Sequence, residues 1–112
     1  GPFVVGPAVE RKLGTSGFSQ LTIDASSWKT AKWAAQYGLY SEVFNSSEEM
    51  DVAIAALAKH LASSSPAAMS ELKKVLWSGT EGWEKLLNER AAISGRLVLS
   101  NFTREAIQAF NK

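Results

Sequence analysis

Thr30-Ala31-Lys32-Trp33-Ala34-Ala35-Gln36-Tyr37-Gly38-Leu39-Tyr40-Ser41-Glu42-Val43-Phe44 changes its periodicity partway along. Thr30 carries a hydroxyl that can accept a hydrogen bond from the third residue of a helix. Trp33, Ala34 and Tyr37 then share one helical face. Gly38 can take the positive φ that closes a helix without steric cost. Beyond it the pattern alternates, with Leu39, Ser41 and Val43 on one side and Tyr40, Glu42 and Phe44 on the other. The spacing predicts a short helix, a glycine stop and one strand. A lone strand cannot satisfy its own backbone N–H and C=O groups, so this one needs a partner. No other segment of the chain reads as that partner.

Upstream, residues 1–7 read as an apolar, glycine-containing loop, and residues 8–13 as a short helix stopped by Gly14. Ser16 or Gly17 begins the next helix, with Phe18, Leu21, Ala25 and Trp28 at helical spacing until Ser26-Ser27 interrupts. Downstream the pattern is helical. Ser46 and Glu49 stand as a capping box, and Met50, Ile54, Leu57 and Leu61 follow as one apolar stripe. Ser65-Pro66 restarts the chain as cap and first helical residue, ahead of Met69, Leu72 and Leu76. Thr80 is the expected cap of a long helix carrying Trp83, Leu86, Leu87, Arg90 and Leu97, with a Glu81–Lys85 pair on its surface. A break at residues 101–103 precedes a last helix that turns Ala106, Ile107 and Phe110 inward.

Composition narrows the function classes. Twelve basic and eleven acidic residues give a net charge of +1, without the basic stripe that nucleic acid requires. There is no cysteine, so disulfides and thiolate metal sites are excluded. No apolar run approaches the ~20 residues of a membrane span, and no signal peptide is visible. The expectation is a cytoplasmic protein that binds neither nucleic acid nor membrane.

The chemistry-bearing residues have structural explanations. His60 is the one histidine; it flanks an apolar stripe with no carboxylate three or four residues away, and reads as a half-exposed helix residue. Serines 63 to 65 precede a proline, where capping is expected, and no Gly-x-Ser-x-Gly elbow is present. Glu48, Glu49 and Asp51 sit at a helix start, where carboxylates favour the dipole. The residues alone assign no catalytic group and no metal ligand. They describe a helical unit with an orphan strand.

The stretch quoted above resembles the crotonase-family pattern S-A-x-x-A-x-x-x-G-L-V-x-x-V. It matches at Ala31, Ala34, Gly38, Leu39 and Val43, with Thr30 in place of Ser. Three further segments keep the family's order: the loop and helix from Gly1 to Gly14, the helix pair from Ala53 to Leu76 with Lys73 at the family lysine, and Glu105-Ala106-Ile107-Gln108-Ala109-Phe110 near the end. The resemblance covers essentially the whole chain. It implies a fold that is mainly α with one short strand, the C-terminal helical region of a crotonase-like ββα-spiral α/β fold. Residues 1–44 would close the core, and residues 45–112 would form a helical oligomerisation region.

The resemblance also implies a function. The chain is similar to the C-terminal part of an enoyl-CoA hydratase/isomerase, a lyase or isomerase of fatty acid metabolism in which backbone N–H groups stabilise an enolate and glutamates move protons. Those groups would all lie before Gly1, so no residue of this chain is assigned as catalytic and the chain alone is expected to be inactive. Coenzyme A enters only as part of the acyl-CoA substrate, with no separate cofactor. Phe110 corresponds to an aromatic near the CoA adenine, and Lys112 lies within about one residue of a lysine that meets the CoA phosphates. Phe3, Val4 and Gly6 would wall the acyl pocket, with Phe3, Val4 and Val5 standing where small residues are usual. The full-length partner would be a second copy, in a trimer or a dimer of trimers. The other reading is a stand-alone helical protein-interaction module without catalysis.

Overall fold

The computed structural model describes residues 2–110. Among them are six helices and no strand: α1 (Gly6–Thr22), α2 (Ala31–Gln36), α3 (Ser47–Ala62), α4 (Pro66–Leu76), α5 (Trp83–Val98) and α6 (Asn101–Phe110). They fall into two packing units, one of Gly1–Ser27 with Glu81–Lys112 and the other of Trp28–Thr80. The division into 1–44 and 45–112 refers to an enclosing fold and is taken up under Proposed function.

In the first unit, α1 is two helical pieces joined at Gly14, whose φ of 68° and ψ of 169° lie outside the helical region. That region is open essentially to glycine alone. The bend brings the ends together: a Cβ added at Gly6 would lie 3.0 Å from Phe18 Cζ. In a straight helix residues twelve apart are separated by about 18 Å. The glycine stop read from the sequence is therefore present, and Leu13 and Gly17 on either side of it are buried. The second piece ends at Thr22, short of the Trp28 that the periodicity included; Ile23 and Trp28 are 87% and 98% exposed.

Also in this unit, α5 starts at Trp83 behind Gly82, with no side-chain cap. The expected cap, Thr80, instead donates its hydroxyl to the Trp77 carbonyl at 2.7 Å. Lys85 approaches Glu89 at 3.9 Å, and Glu81, read as its partner, precedes the helix. The break before the last helix falls at Leu99 and Ser100, earlier than residues 101–103. Ser100 Oγ accepts from the Thr103 amide at 3.3 Å, and Thr103 Oγ1 donates to the Leu97 carbonyl at 2.9 Å. These two bonds fasten the turn between α5 and α6. The expected inward face of α6 is not inward: Ile107 and Phe110 are both exposed.

In the second unit the expected start and glycine stop of α2 are both present. Thr30 Oγ1 accepts from the Trp33 amide at 3.1 Å, and Trp33 and Tyr37 stack with centroids 4.6 Å apart. Gly38 has φ 79°. Its N–H donates to Ala35 O at 3.1 Å, and that of Leu39 donates to Ala34 O at 2.8 Å, which is the two-bond Schellman closure. The Tyr40 amide also donates to Ala34 O, at 3.2 Å.

Residues 39–44 form bends and irregular chain where a strand was expected. The physical reason lies in that closure. The Leu39 and Tyr40 donors are spent on α2, and among the described residues no second strand offers a ladder. Without one, alternation of side chains cannot be converted into pairing.

The remaining two helices of the unit begin as the sequence indicates. Ser46 Oγ accepts from the Glu49 amide at 3.2 Å. The return bond of the box is displaced by one residue: Glu49 Oε2 accepts from the Asn45 amide at 3.2 Å rather than from Ser46. Ser65 Oγ accepts from the Ala68 amide at 3.4 Å, with Pro66 at the first helical position.

The burial is thin. Leu13 and Ala34, at 7% and 6% exposure, are the buried apolar side chains; Gly6 and Gly17 complete the buried set among the described residues. The accessible surface is 9099 Å². Two separate compact monomers, each of half this chain's mass, would together expose only roughly 7,300 Å². The excess therefore does not depend on how the two units are placed.

Candidate functional site

The second unit contains an open groove of about 900 Å³ between residues 39–47 and the N-terminal half of α3. One wall is the irregular segment after Gly38, contributing Leu39, Tyr40, Val43 and Phe44. The other is the α3 stripe, contributing Met50, Ala53, Ile54 and Leu57. Residues 50, 54 and 57 stand at the spacing that places them on one helical face. The capping bonds of Ser46 and Glu49 set where α3 begins, and thereby which of its residues face the segment. The Gly38 closure sets the direction in which that segment leaves α2. Capping and closing hydrogen bonds thus set both walls, while Met50, Ile54, Leu57, Tyr40 and Val43 are all exposed.

Glu42 is the one charged residue of the lining. At the start of α3, the Glu48 carboxyl is held below the usual carboxylate range by its own backbone amide first, and then by the Ser47 and Ser46 hydroxyls. This is the behaviour of a helix start, and Glu48 is fully exposed. No proton-transfer pair arises from it. His60 is exposed in the last turn of α3, where its carbonyl accepts from Ser63 Oγ at 2.7 Å and Ser64 Oγ at 3.2 Å. The serines are capping groups, as read from the sequence. Among the described residues no group of three His, Cys, Asp or Glu side chains is placed to hold a metal ion. Among the described residues no helix is long and apolar enough to cross a membrane.

The residues assigned to an acyl pocket and a CoA site lie elsewhere, in the first unit. Phe3 is half-buried and Val4 exposed in the turn before α1, while Gly6 is buried against Phe18. Phe110 closes α6 at 92% exposure, so it is packed against almost nothing. Lys112 lies outside the described residues. Phe3, Val4 and Gly6 are neighbours in sequence, and Phe110 adds no packed contact to them. What sequence reasoning missed is the groove. Its signal was available in the Met50–Ile54–Leu57 stripe, and Leu39 and Val43 were read as strand faces.

Comparison with family models finds no match, and neither curated proteins nor solved structures give one.

Proposed function

We propose that this chain is the C-terminal helical part of an acyl-CoA enzyme of the enoyl-CoA hydratase/isomerase type, cytoplasmic and oligomeric, with its acid–base groups and oxyanion donors in another part of the polypeptide. The observation that carries the reading is the uncovered apolar groove beside residues 39–44. In the crotonase-like reading those residues are the last strand of a core. A strand deprived of its sheet leaves an irregular segment, alternating in pattern, next to an apolar helix face with nothing on it. Buried apolar surface is the main favourable term in folding, so side chains such as Val43, Ile54 and Leu57 call for a cover. Phe3, Val4 and Gly6 then line the acyl pocket, and Phe110 with Lys112 meets the CoA end of an acyl-CoA substrate. Residues 1–44 complete the core and residues 45–112 carry the contacts between copies.

A second reading, a helical interaction module without catalysis, is favoured by the absence of a strand among the described residues. It explains the same groove as a seat for another protein. One experiment separates them: assay of the longest reading frame that encodes these residues for loss or migration of the double bond of a 2-enoyl-CoA or 3-enoyl-CoA. Turnover by that product, with none from the 112-residue chain, supports the enzyme. No turnover from either supports the module, and turnover by the 112-residue chain alone overturns the placement of the catalytic groups.

A further inference from the structure

We draw no further inference here: the strongest candidate, the apolar groove between residues 39–47 and the N-terminal half of α3, is an unpartnered face that beyond the role already proposed carries nothing, because nothing in the structure shows what covers it.

Discussion

Helices α2 and α6 make an instructive pair. The first has six residues and the second ten, yet the shorter is the better anchored. At α2 the Thr30 hydroxyl closes one end, the Gly38 and Leu39 amides close the other, and Ala34 between them is buried. Stacking of Trp33 on Tyr37 covers one side of the turn. At α6 the N-terminus is capped by Ser100, but Phe102 and Phe110 are 82% and 92% exposed. Segregation of apolar residues to one face does not bury that face. Capping is completed by atoms a few residues away, whereas burial requires a surface brought from far along the chain or from another molecule.

The most damaging change should be at the closure of α2. Gly38→Val places a β-branched residue at φ 79°, a conformation that costs L-residues about 1–2 kcal/mol. It should also loosen the Leu39 amide from Ala34. The expected result in a far-UV circular dichroism melt is loss of stability of that size. An unchanged melt would break the claim that this turn anchors the second unit.

Thr30→Ala comes next. It removes the acceptor of the Trp33 amide and should destabilise by about 1 kcal/mol, the usual effect of losing a helix cap. Thr30→Ser, which keeps the acceptor, should recover most of that loss. If alanine and serine behave alike in the same melt, the hydroxyl is not what holds the helix start.

On the other side of the comparison, Phe102→Ser with Phe110→Ser should leave melting within about ±0.5 kcal/mol of the parent, as expected for exposed positions. The same pair should weaken self-association of the chain, because exposed apolar patches are what bring copies together. Light scattering over a concentration series reads this directly. A clean monomer for the parent at high concentration would remove the contrast, and a large melting loss in the variant would show that α6 is packed after all.

The smallest effect concerns acid. Glu48 has its folded pKa lowered from the usual 4.5, so its contribution is present at neutral pH, above the unfolded value. It is lost as pH falls from about 4.5 through the lowered folded value. Glu48→Gln should therefore be slightly less helical than the parent at pH 7, with the difference vanishing on the acid side of 4.5. A difference between the two proteins that appears in acid and is absent near pH 7 would contradict that sign.

Much of this was legible beforehand, and the misses have physical causes. The glycine stop at Gly14 and the caps at Thr30, Ser46 and Ser65 were readable because each uses a donor and acceptor a few residues apart. Thr80 failed as a cap because α5 begins two residues further on than a Thr80 cap would require, with Gly82 at the cap position and no side-chain cap. Residues 39–44 failed as a strand because alternation records only which side chains resemble one another. The groove was hidden for a related reason. Each wall could be seen as an apolar set, but not that the two face one another.

By itself, then, the sequence determined where the helices begin and end to within a few residues, since hydroxyls, prolines and glycines act on their immediate backbone. It also determined that apolar stripes exist on α3 and α6. Tertiary structure alone decided that Leu13 and Ala34 are buried while Ile54, Leu57 and Phe110 are not, and that the segment after Gly38 borders a groove instead of joining a sheet. A side chain is buried, and a strand is paired, only when remote atoms arrive to displace water or to complete a ladder; no short-range pattern contains those atoms.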